Sequence, residues 1–104
     1  MLEAMPEAVI STVNLAEVQT KAVERGIDPA GVGSRLRAAG LAVEPFLEVD
    51  AAAVASMAPV ARRLGLSLAD RACLALGLRL NRPVLATDAA LAQADVGVEV
   101  VLIR

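Results

Sequence analysis

Apolar residues along the chain repeat with two periods, and their alternation lays out the elements. A short β-branched run, Val9-Ile10-Ser11-Thr12, reads as a buried strand. From Leu15 to Arg25 the apolar positions Leu15, Val18 and Ala22 recur at helical spacing. Gly26 and Asp28-Pro29 stop that helix and start another, with Val32, Leu36 and Ala39 on one face and Gly40 at its end. Leu41 to Phe46 forms a second strand, terminated by Pro45. Asp50 caps an alanine-rich helix that Pro59 breaks in two, at Gly65 or before. Ser67 opens a strongly apolar helix to about Leu80, and Asn81-Arg82-Pro83 turns it into a third strand, Val84-Leu85-Ala86. A short helix from Asp88 to about Ala94 follows. Val96 to Ile103 closes the chain, with Val98, Val100 and Leu102 alternating as in a strand.

Strands alternating with helices predict an α/β fold, a parallel β-sheet flanked by helices, in a single domain. The chain of 104 residues is 57% hydrophobic, with a mean hydropathy of +0.61. A disordered, solvating tail is excluded. For a lone domain this is apolar enough to predict that another chain covers some of its surface.

Charge and composition then narrow the chemistry. The formal net charge is −2, and the ten basic residues, Lys21 and the arginines, are scattered, with no basic stripe for nucleic acid. Phe46 is the single aromatic residue, so no stacking platform for bases exists. Any nucleic acid must be held through its phosphates. Histidine is absent, which excludes Ser-His-Asp and Cys-His nucleophile systems and a His/Cys zinc site. Cys73, the single cysteine, sits in the run Ala72-Cys73-Leu74-Ala75-Leu76 and reads as packed core. It has no intrachain partner, which suits a reducing compartment. No stretch reaches the roughly 20 apolar residues of a membrane span, and the acidic start from Met1 to Glu7 differs from a signal peptide. The expected setting is the cytoplasm, with no membrane contact.

Three blocks each place one carboxylate near a predicted helix start: Asn14-Leu15-Ala16-Glu17, Ser67-Leu68-Ala69-Asp70 and Ala86-Thr87-Asp88. The plain reading is capping. Asn14 with Glu17 and Ser67 with Asp70 have the capping-box spacing, and Asp88 or Thr87 is an N-cap. Glu17 could also pair with Lys21 one turn on. The functional reading comes from joint placement. In a parallel sheet the helix starts gather at the carboxyl edge of the strands, where ligands bind. Glu17, Asp70 and Asp88 together would hold Mg²⁺ or Mn²⁺, hard cations that prefer oxygen ligands. A metal so held activates water and steadies the charge on a phosphodiester. Ser11, Ser67 and Thr87 bring hydroxyls to the same edge that could orient water, and ordinary capping is their alternative. Asn14 joins this polar set. The fork of Arg71 suits a phosphate oxygen, the alternative being an ion pair with a nearby acid. Arg62-Arg63 reads as a solvated helix face, and Met57 and Phe46 read as core.

The runs from Ile10 to Val18 (I-S-T-V-N-L-A-E-V), Gly65 to Leu76 (G-L-S-L-A-D-R-A-C-L-A-L) and Pro83 to Asp88 (P-V-L-A-T-D), closing on Val100 to Arg104, resemble a small PIN-domain ribonuclease. More narrowly they resemble the VapC-type toxins of bacterial toxin–antitoxin pairs, and the likeness extends from about Ala8 to Arg104. The resemblance implies a Mg²⁺- or Mn²⁺-dependent endoribonuclease, dimeric and held inactive by a cognate antitoxin. Its acidic positions map onto Glu17, Asp70 and Asp88, with Thr87 as the hydroxyl residue before the last acid. The family's sheet also has a first, central strand that carries an Asp ligand. Here only Met1 to Ala8 precede Val9, so the chain is expected to be a PIN-like domain truncated at its N-terminus by one strand-helix unit. Two neighbouring strands must then pair directly or leave open edges.

Two functions follow from different classes. The first is the metal-dependent endoribonuclease acting on RNA. The second is a non-catalytic interaction module that binds an antitoxin-like peptide or its own copy. A receiver-like regulatory domain is weaker, since the chain has neither a clustered acidic pair nor the lysine such domains use.

Overall fold

The strand β1 (Val9–Ser11) leads directly into the helix α1 (Thr12–Glu24), and α2 (Pro29–Ala38) and β2 (Ala42–Glu44) follow. α3 (Glu48–Ser56), α4 (Ala58–Leu64) and α5 (Leu68–Leu80) run in series to β3 (Val84–Ala86), and α6 (Ala89–Ala92) and β4 (Val100–Leu102) complete the order. These elements come from a computed structural model, which describes residues 8–86 and 89–102. The sheet has the order β2-β1-β3-β4 with every pairing parallel. The α/β fold expected from the alternation of strands and helices is therefore present.

Local chemistry accounts for most boundaries. The Asp28 carboxylate accepts the Ala30 N–H at 3.1 Å and Pro29 opens α2, a position where no N–H is needed. Gly65 (φ 72°) ends α4 and Asn81 (φ 54°) ends α5, both left-handed, a conformation that glycine and asparagine adopt most readily. Three expectations need correction. α1 begins at Thr12 rather than Leu15, because Ser11 is its N-cap and accepts the Val13 N–H at 3.0 Å. Asn14 is therefore the third helical residue and not a cap. Asp50 is likewise the third residue of α3 rather than its cap, and its carboxylate accepts the Leu47 N–H at 2.9 Å. The expected break of the alanine-rich helix falls at Met57, before Gly65, with Pro59 in the first turn of α4. Both outer strands are also shorter than predicted, since Pro45 ends β2 while Val96 and Val98 pack on the core.

Register shows where the sheet is thick and where it is thin. β1 meets β2 at Val9↔Ala42, Ile10↔Val43 and Ser11↔Glu44, and β3 meets β4 through another three pairs. β1 and β3 pair directly, as two strands without a strand between them must, but through Val9↔Val84 alone. The Val9 N–H also donates to the Pro83 carbonyl at 3.0 Å. The chain steps outward from β1 to β2 and then returns to the other side of β1 at β3. The strand order thus reverses between β1 and β3, and a ligand crevice is expected beyond their carboxyl ends.

α5 packs on both strands of this seam and also against α1 and α3. Its Cys73, Leu74 and Leu76 are fully buried with Val9 and Val84. Gly77 makes the fit possible. A Cβ there would lie 2.6 Å from Val98 Cγ1, 2.7 Å from Val84 Cγ1 and 3.1 Å from the Arg82 carbonyl. Alanine improves helix propensity by about 1 kcal/mol over glycine, yet overpacking of this kind costs about 1–3 kcal/mol and two core valines would have to move. The clash outweighs the propensity. Gly77→Ala is expected to lower Tm by several degrees in a thermal melt. A Tm at or above that of the wild type would show that α5 does not press on β3.

Candidate active site

The expected crevice lies where β1 hands over to α1 and where α5 begins. α5 runs back along the sheet before β3, so its first turn lies at the carboxyl ends of the strands. Cys73, one turn into α5, marks the place. Its thiol donates a long contact of 3.9 Å to the Leu85 carbonyl of β3 and receives a backbone hydrogen bond from Ser11 of β1. Burial, and after it the negative charge of Asp70, push the Cys73 thiol up to about 12 against the opposing pull of the Ser11 hydrogen bond. It stays protonated at neutral pH and acts as core, as the sequence predicts, not as a nucleophile.

Asp70 therefore sits beside the seam, at the predicted edge. Its carboxylate accepts the Ser67 N–H at 2.9 Å, while the Ser67 hydroxyl accepts the Asp70 N–H at 3.1 Å. This is the reciprocal capping box expected from the sequence. It also holds the carboxylate in one orientation. Ser11 is fully buried and its hydroxyl is engaged as the α1 cap, and the Ser67 hydroxyl is engaged as the α5 cap. Both hydroxyls are thus accounted for by capping.

Glu17 departs from the expected picture. It is exposed, the sixth residue of α1, about 9 Å along the helix from Ser11 at 1.5 Å per residue. It is not at a helix start, and its ion pair with Lys21 does not form among the described residues. Asn14 lies one turn nearer the sheet on the same stripe of α1. Its Oδ1 is buried and has no hydrogen-bond partner. Buried acceptors are ordinarily satisfied, so this oxygen is positioned for a water or a cation. Thr87 and Asp88 lie outside the described residues.

These oxygens bear on the metal expected from the sequence. Among the described residues no three acids, cysteines or histidines come together as a metal-binding group. The donor chemistry nonetheless suits a hard cation, since Asp70, Glu17 and the unpartnered Asn14 Oδ1 offer only oxygen.

Arg71 turns toward α3, where its Nη1 lies 3.5 Å from the Val54 carbonyl. The acid partner that would explain it as an ion pair is not found among the described residues. The ion pair that does form was not foreseen. Asp50, 2% exposed, accepts from Arg79 Nε at 2.9 Å, and Arg79 Nη2 donates to the Pro45 carbonyl at 2.9 Å. It locks the start of α3 to the end of α5.

No helix among the described residues is long and apolar enough to cross a membrane. Comparison with known families matches the PIN domain over residues 1–97. No curated protein and no solved structure matches the chain.

Proposed function

Because the chain belongs to the PIN-domain family, whose members are generally metal-dependent nucleases, we propose that it is an endoribonuclease of the toxin–antitoxin kind. The observation that carries this reading is Asp70, an oriented carboxylate beside the point where strand order reverses. Glu17, Asp70 and Asp88 are the residues that would hold Mg²⁺ or Mn²⁺. The ion supplies Lewis-acid activation of water and charge neutralisation at a phosphodiester. The protein's own part is positional. The Ser67 N–H fixes the Asp70 carboxylate, and Asn14 Oδ1 would accept a hydrogen bond from a bound water and so orient it. The start of α5 favours the negative charge of Asp70 in its first turn.

The partners proposed are RNA as substrate, a cognate antitoxin, and a second copy of the chain, in the cytoplasm. Support for a protein partner comes from large apolar side chains left in solvent, among them Val49 (63% exposed), Leu68 (59%) and Val23 (59%). The same side chains support the second reading, an interaction module without catalysis.

Cleavage of a structured RNA by the purified chain separates the two. Scission is expected with Mn²⁺ or Mg²⁺ and is expected to vanish in chelator. A folded chain that leaves the RNA whole in saturating Mn²⁺ would sink the nuclease reading and leave the interaction module.

A further inference from the structure

One pocket, lined in part by the residue after Asp70, takes no part in the candidate site. It lies between α4 and the start of α5, has a volume of about 370 Å³, and is lined by Ala58, Ala61, Arg62, Gly65, Leu66 and Arg71. Its floor is small and apolar, and its lining carries two positive charges and no acid. Neither arginine has an ion-pair partner among the described residues. Arg71 Nε is buried without a hydrogen-bond partner, and the contact of Nη1 to Val54 is long. A half-buried guanidinium with an unpartnered donor, lining one pocket with a second arginine and a small apolar floor, is arranged for an anion.

We propose that this pocket binds a backbone phosphate of the RNA strand presented to Asp70. The proposal rests on the nuclease reading above. Two observations favour phosphate over the carboxylate of a protein partner. Arg71 directly follows Asp70 in the first turn of α5, so the pocket it lines lies within a few residues of the carboxylate proposed for cleavage. The chain also has one aromatic residue, which leaves phosphate contacts as the main means of holding a single strand. Arg62, on the last turn of α4, supplies the second fork from across the pocket.

The test is binding of a short single-stranded RNA by fluorescence anisotropy in chelator, over a series of salt concentrations. Arg62 is exposed, so Arg62→Gln is expected to keep the wild-type Tm. It is expected to flatten the plot of log K against log salt by about 0.7, the contribution of one phosphate contact to a single strand. Arg71→Gln is expected to do the same. If Arg71 merely braces α3, Arg71→Gln lowers Tm and leaves the slope alone. Unchanged slopes in both variants, or no RNA binding by the wild-type chain, overturn the proposal. So does a loss of affinity confined to an acidic peptide. Since no cleavage occurs in chelator, the two readings fail separately. A chain that binds with the arginine-dependent slope but never cuts contradicts the nuclease, whereas one that cuts with an unaltered slope contradicts the phosphate site.

Discussion

Asp70→Asn is expected to lower metal-dependent RNA cleavage by at least about 100-fold while the protein stays folded. Removing a partner that only supports a metal ligand commonly costs 10–100-fold, so neutralising a proposed ligand should reach the top of that range or pass it. The substitution is chosen for what it preserves. The carboxamide oxygen of asparagine can still accept the Ser67 N–H that Asp70 accepts at 2.9 Å, so the cap on α5 remains. What the helix loses is a negative charge in its first turn, worth about 0.3–1 kcal/mol. The Tm should fall by a few degrees at most. Cleavage at the wild-type rate by the variant, measured on the same RNA in Mn²⁺, would remove Asp70 from the chemistry. Activity lost together with the folded signal would mean that the capping box matters more than the charge.

The second large effect concerns stability. Asp50→Ala is expected to destabilise the fold by about 3–5 kcal/mol, the usual result of removing one partner from a buried ion pair. Two contacts end at once. Arg79 Nε loses its acceptor at 2.9 Å and the Leu47 N–H loses its own, which weakens the tie between α3 and α5. Arg79 keeps only the Pro45 carbonyl, with part of its charge out of water. A domain of this size is stable by about 5–15 kcal/mol, so the loss is a large fraction of the whole. Asp50→Ala with Arg79→Met should be less damaging than Asp50→Ala alone, because it removes the unpaired cation as well. Urea denaturation of the three proteins checks the order. A single variant within about 1 kcal/mol of the wild type would show that the pair holds nothing in place.

The parts of this fold that were legible in the sequence are those governed by nearby residues. α5 with its Ser67 cap and β3 at Val84–Ala86 emerge where the pattern puts them, because a reciprocal cap, a long apolar stripe and an Asn-Arg-Pro turn all act within a few positions. The start of α1 was not legible for the same kind of reason. Thr12 is β-branched and extends the apparent strand, while the spacing from Asn14 to Glu17 imitates a capping box that Ser11 in fact pre-empts. Interactions between distant segments left no local trace. Asp50 looks like a helix cap until Arg79 arrives from 29 positions away. Arg62 is exposed, as a solvated helix face requires, but the pocket it lines between α4 and α5 could not be read from its neighbours in sequence. At the candidate site the position of Asp70 was readable. That of Glu17 was not, since one residue more or less in α1 turns it by about 100°.

The one-pair seam also bears on the order in which the molecule assembles. β1 with β2, and β3 with β4, are each joined through a modest length of intervening chain, whereas Val9↔Val84 must bring together residues from nearly opposite ends of the chain. Closing so long a loop is entropically costly, and a single backbone pair repays little of it. The two half-sheets can therefore gather first, with α5 drawing them together as Cys73, Leu74 and Leu76 leave water. On that route the crevice at Asp70 exists only once the last long-range contact has closed, so a partly folded chain carries no assembled site.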